Sequence, residues 1–111
     1  MFESSRIGAV SIIRGDEPLN VHTLDQMAAL IDECLVSGQP RVVLDLEDMP
    51  LIDSAGIALL LDYQDRCSDR GGVMKLAAPN PLCRDILTVT EVLPRFEVLQ
   101  DCLSAVGSFV Q

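Results

Sequence analysis

Apolar and polar positions along this 111-residue chain follow two periods in turn. Residues 2–6 and 10–14 alternate as short strands on either side of Gly8, which is a hairpin spacing. Residues 15–20 read as a loop broken by Pro18. From Val21 the period lengthens: Leu24, Met27, Ala28, Ile31, Cys34 and Leu35 recur at helical spacing, with Asp25, Gln26, Asp32 and Glu33 on the other face. Asn20 is the expected cap of this helix and Gly38 its stop. Val42-Val43-Leu44 is a continuous apolar run, suited to a central strand covered on both faces.

A second helix is predicted from Ser54 to Asp69, ended by Gly71-Gly72, and residues 73–78 form the next strand. Asn80-Pro81 opens a third helix, with Asn as cap and Pro at the first position, and with Leu82, Cys83, Ile86 and Leu87 as its apolar face. Residues 96–99 make a last short strand. Asp101 caps a final helix carrying Leu103, Val106 and Val110. Strands alternating with helices predict a single α/β domain over residues 1–111. It should have a mixed sheet of four to five strands, with about four helices packed mainly on one face.

Composition narrows the function. Half of the chain is apolar (49%), enough for a core. No apolar run approaches the roughly 18 residues that would span a bilayer, and the first residues lack the pattern of a signal peptide, so a cytoplasmic protein without membrane insertion is expected. The net charge is −9 and the eight basic residues are scattered singly, which argues against direct nucleic-acid binding and fits a basic protein partner. Cys34, Cys67, Cys83 and Cys102 lie far apart among apolar neighbours; buried reduced thiols are expected, not a disulfide framework or a metal site. No cofactor is implied.

The chemistry concentrates at Leu51-Ile52-Asp53-Ser54-Ala55-Gly56-Ile57. A hydroxyl at Ser54 would be exposed at a helix start. A phosphate added there would meet the positive end of the helix dipole and free first-turn amides. The plainer reading of Asp-Ser before a helix is an N-cap. Projected at about 100° per residue, Ile57, Leu60, Leu61, Gln64 and Cys67 form the core side. Ala55, Leu59, Asp62 and Arg66 form the opposite side, where an outward Leu59 one turn beyond Ser54 suggests an interface.

Two enzymatic or signalling readings compete. Ser54-Ala55-Gly56 ends like a nucleophile elbow, but Ile52 stands where its first glycine belongs, and His22 is the sole histidine available as base. Val42-Val43-Leu44-Asp45 resembles the strand of a phospho-aspartate receiver, with Asp16-Glu17 imitating an acidic pair, but Lys75 lies inside a strand pattern without the Lys-Pro that closes such sites. That reading fails on spacing, because too few elements separate the acidic pair from Asp45.

Taken together, the strand 42–46, the motif Asp53-Ser54-Ala55-Gly56-Ile57-Ala58-Leu59-Leu60 and the run Gly71-Gly72-Val73-Met74-Lys75-Leu76 resemble a STAS domain of the bacterial anti-sigma factor antagonist type, over essentially the whole chain. The resemblance implies a protein that is not an enzyme. Unphosphorylated, it binds an anti-sigma factor that is also a serine kinase. Phosphorylation at Ser54 releases it, and a phosphatase resets it. Asn20, Asp53, Ser54, Ala55, Gly56, Leu59 and Asp62 would form the partner-binding set, with Gly56 leaving room around the hydroxyl. The protein would be a monomer or weak dimer. The loop Gly15-Asp16-Glu17-Pro18-Leu19-Asn20 departs from the family pattern, being two residues longer and carrying Asn20 in place of an acid. Ile57-Ala58-Leu59-Leu60-Leu61 also resembles the unphosphorylated STAS subunit of bacterial lipid-transport ABC complexes, which is the alternative reading.

Overall fold

The computed structural model describes residues 1–36 and 38–109. In chain order the elements are β1 (Phe2–Ile7), β2 (Val10–Gly15), α1 (Leu24–Cys34), β3 (Arg41–Asp45), α2 (Ser54–Asp69), β4 (Val73–Ala77), α3 (Pro81–Val89), a 3-10 turn (Leu93–Arg95), β5 (Val98–Leu99) and α4 (Cys102–Ser108). The five strands lie side by side in chain order. β1 and β2 form the antiparallel hairpin, turning at Gly8 with φ +60, and all later pairings are parallel.

Alternation along the strands builds two apolar layers. Ile13, Val42, Leu44, Met74 and Leu76 point to one face and pack with Met27 and Ile31 of α1, Leu60 and Cys67 of α2, and Cys83 and Leu87 of α3. Val10, Ile12, Val43 and Ala77 point to the other face, where Ala105 of α4 covers them. Three helices therefore share the main face and α4 takes the opposite one. β3 is the central strand, and its residues 42–45 are all buried.

The N–H and carbonyl of Met74 in β4 need partners from outside the ladder. β5 pairs with β4 only at Leu76 and Ala77. The backbone of Met74 is served instead by Gln64 of α2, whose Oε1 accepts from Met74 N–H (2.9 Å) while its Nε2 donates to the carbonyls of Met74 (3.0 Å) and Arg95 (3.1 Å). A polar side chain buried in a helix face thus takes the part of a missing strand.

α1 begins at Leu24, three residues later than its apolar spacing predicts. Asn20 caps a separate turn: its Oδ1 accepts from His22 N–H (2.9 Å) and its carbonyl from the amides of Thr23 and Leu24. α2 and α3 start where predicted, with Asp53 and Asn80 as caps, and Asp101 caps α4. Val110, expected on α4, lies outside the described residues. Cys67 and Cys83 are buried, whereas Cys34 and Cys102 are only partly so, a departure from the expected set of four buried thiols.

Candidate functional site

Ser54 is the first residue of α2 and is exposed. Asp53 just before it has an extended backbone, and its Oδ1 accepts from Gly56 N–H at 2.9 Å, while its carbonyl accepts from Ile57 N–H at 2.9 Å. The amides of Ser54 and Ala55 have no intrahelical acceptor, because the first turn of a helix has none to offer. The Ser54 hydroxyl therefore sits beside two free N–H groups at the positive end of a 16-residue helix, with one carboxylate already engaged as the cap.

The loop between β2 and α1 is fastened to this start. Leu19 donates to the Leu51 carbonyl (2.8 Å), and Asp53 N–H donates to the Leu19 carbonyl (3.1 Å), making a short parallel bridge of Leu19 with Ile52. Asn20, half-buried, follows directly. The segment 46–53 is held from its other side by α3: Asn80 Nδ2 donates to the Met49 carbonyl (3.0 Å) and the Cys83 thiol reaches the same oxygen (3.4 Å). Ser54 thus projects from a site built by three loops at the carboxyl end of the parallel strands.

Gly56 packs inward rather than standing at the surface. It is buried, and a Cβ there would lie 2.6 Å from the Leu19 carbonyl oxygen and 2.9 Å from Ile52 Cγ2. It is a glycine so that the loop can lie on the helix, not to clear space around the hydroxyl. Leu59 also differs from its expected place. It is half-buried and packs against the main core, as does Leu61, which was expected to be fully buried. The outward row of α2 is instead Ser54, Ala58 and Asp62, four residues apart and all exposed, with Ala55 half-buried beside them. Asp62 pairs with Arg66 at 3.0 Å.

Three exposed apolar side chains surround the same end: Val21 after Asn20, Leu51 before Asp53, and Leu82 at the start of α3. They come from two loops and the first turn of a helix, so no periodicity in the sequence could group them. Asp16, Glu17, Glu47 and Asp48 occupy the same loops. Asp16 and Glu17 approach the Met1 amino group at 2.6 and 3.0 Å, and the hydrogen bond from that amine holds the Asp16 carboxyl below its usual range.

The competing constellations do not assemble. Among the described residues no hydrogen bond joins Ser54 to His22, and Asp53 is committed to its cap. Lys75 lies on the α4 side of the sheet, within 2.6 Å of Ser108 Oγ, 3.0 Å of Glu97 Oε2 and 4.3 Å of the Phe109 ring centroid. Asp45 is buried and answers to Glu47 N–H and Arg14. Burial pushes all four thiols up, Cys67 to about 11, which keeps them protonated and poorly nucleophilic near neutral pH. Among the described residues no group of three or more His, Cys, Asp or Glu could hold a metal ion, and no helix is long and apolar enough to cross a membrane.

An exposed serine on a helix start is thus framed by loops at one end of a five-stranded mixed sheet, and the chain belongs to the STAS domain family, which matches residues 2–105. It is 26% identical over 92 residues to the anti-sigma F factor antagonist of Paenibacillus polymyxa, covering 79% of each chain. The crystal structure of the Thermotoga maritima protein TM1081 superposes with a TM-score of 0.91 at 22% identity, covering 99% of this chain and 95% of that one. The anti-sigma factor antagonist SpoIIAA shares the fold in its unphosphorylated form (TM-score 0.75, 21% identity, 92% and 88% covered) and, from Bacillus, in its phosphorylated form (TM-score 0.72, 19% identity, 100% of both).

Proposed function

We propose that this STAS domain is an anti-sigma factor antagonist that works by partner switching. The unmodified protein binds an anti-sigma factor through the end of the molecule bearing Ser54, the anti-sigma factor phosphorylates Ser54 with ATP, and the dianion ends the binding until a phosphatase removes it. The domain is substrate and ligand in this cycle, not catalyst, and works in the cytoplasm. The observation that carries the reading is the exposed Ser54 hydroxyl at the first position of α2, within the family motif.

The physics supports a switch that spares the fold. Phosphate oxygens at Ser54 can meet the amides of Ser54 and Ala55 and the helix dipole, partly offset by the Asp53 carboxylate next door. The domain need not unfold. An apposed partner surface would cover Val21, Leu51, Leu82 and Ala58. A charge of about −1.5 to −2 within that patch must be desolvated or face the partner's groups, which weakens binding steeply. Asn20, Asp53, Ala55 and Asp62 complete the proposed contact set at its polar edge.

The test pairs the protein with the anti-sigma factor kinase of its own organism. Ser54→Ala should bind that kinase and stay bound in ATP. Ser54→Asp should bind at least tenfold more weakly with unchanged melting, as a buried unpaired charge demands. Equal binding by Ser54→Asp and wild type removes the mechanism and leaves the unphosphorylated transporter-subunit reading.

A further inference from the structure

We propose that Asp45 and Arg14 are positioning residues for Ser54, forming a strut between the two loops that frame it. They are cross-strand partners at the ends of β3 and β2, just where the chain departs into segments 46–53 and 16–20. The Asp45 carboxylate is buried, with 5% of its side chain exposed. Its Oδ1 accepts from Glu47 N–H at 3.1 Å, which sets the first turn of segment 46–53. Its Oδ2 faces Arg14 Nη2 at 3.7 Å, and Arg14 lies one residue before Gly15, where the other segment begins. The two segments meet again at Leu19, through its bonds to Leu51 and Asp53. Strands, strut and bridge thus close a ring, and Ser54 follows its last link.

A buried carboxylate without a countercharge would pull toward solvent or a proton. Here it is answered by one amide, from segment 46–53, and one guanidinium, from the end of β2 that leads into segment 16–20. Arg14 Nη2 also lies 4.0 Å from Cys102 Sγ at the start of α4, so the second-face helix rests against the strut. The pair fixes the height at which both loops leave the sheet, and the Leu19 bridge depends on that height.

Amide hydrogen exchange tests this without any partner. Asp45→Asn keeps an acceptor for Glu47 N–H and removes the charge; Arg14→Met keeps the apolar stem and removes the guanidinium. In each, the Leu19 and Asp53 amides should exchange about tenfold faster than in wild type, as a buried carboxylate that loses its half-exposed partner, or the loss of that carboxylate's charge, loosens the local structure around it. Val43 and Leu44 should be unchanged. In the double variant the factors should not multiply, since one interaction is lost once. Wild-type exchange at Leu19 and Asp53 in either single variant, multiplying factors in the double, or equal acceleration at Val43 and Leu44 would overturn the strut. The consequence for function rests on the proposed switch. With the kinase, Asp45→Asn should lower kcat/KM at Ser54 with little change in melting. A wild-type Ser54 that the kinase never modifies would refute the switch and leave the exchange result to decide the strut.

Discussion

Gly56→Ala separates two accounts of the motif glycine. If glycine is there to give a partner or a phosphate room, alanine should leave stability intact, or raise it by the roughly 0.5–1 kcal/mol that alanine gains over glycine in a helix. The structure argues the opposite. The new Cβ would meet the Leu19 carbonyl oxygen at 2.6 Å, with Ile52 Cγ2 at 2.9 Å and Leu19 Cγ at 3.0 Å. None of these is the loose end of a flexible chain: Leu19 and Ile52 are buried, and the Leu19 oxygen holds the Asp53 amide at 3.1 Å. Relief requires the loop to lift and that bond to stretch. Overpacking of about 1–3 kcal/mol and a weakened hydrogen bond of about 0.5–1.5 kcal/mol outweigh the helix gain, leaving a net loss of about 1–3 kcal/mol. In urea, with a slope of about 1–2 kcal/mol/M for a domain of this size, the midpoint should fall by about 0.5–3 M at unchanged slope. A Gly56→Ala protein as stable as wild type or more so would refute the packing account of this residue.

Four further substitutions and one titration probe the frame and its exposed row. Gln64→Leu should destabilise by about 2–4 kcal/mol in denaturant melts, because the Met74 amide and two carbonyls lose their partner inside the protein. Leu60→Ala, at a fully buried position, should lose about 2–5 kcal/mol. Ala58→Glu, on the exposed row, should stay within about 0.5 kcal/mol of wild type yet weaken partner binding. Tyr63 is the sole tyrosine and there is no tryptophan, so its titration is directly visible in the ultraviolet. Burial and the hydrogen bond to Asp32 (2.7 Å) push it up to about 12. The folded state thus holds this proton more tightly than the unfolded chain, so the stabilisation is full below about pH 10 and is lost as pH rises through about 12. Asp32→Asn should lower the midpoint.

Much of this fold is legible before any coordinates. Asp53, Asn80 and Asp101 stand before apolar-faced segments and cap them, so three helix starts follow from cap chemistry alone. The start of α1 does not, because Asn20 can cap a single turn as well as a helix, and tertiary fastening of Leu19 decides which. The phase of α2 is ambiguous for a different reason. Leu59, Leu60 and Leu61 are consecutive, so the apolar pattern fits more than one rotation, and the inward packing of Gly56 selects one that exposes Ala58. A glycine's sequence context cannot distinguish clearance for a ligand from contact with a loop. The apolar rim of Val21, Leu51 and Leu82 depends on two loops and the start of α3 converging, which only topology supplies. α4 meets the second face through Ala105, with Cys102, Val106 and Phe109 partly buried beside it, a patch whose spacing does not say which face of the sheet it covers.

The most direct test of the central claim is site-resolved mass spectrometry of the protein after incubation with its organism's anti-sigma factor kinase and ATP. The account predicts one phosphate, on Ser54, and release of the kinase in step with its appearance. Phosphate on Ser4, Ser5, Thr23 or Ser68 with Ser54 unmodified, or a fully phosphorylated Ser54 protein that stays bound, would contradict it.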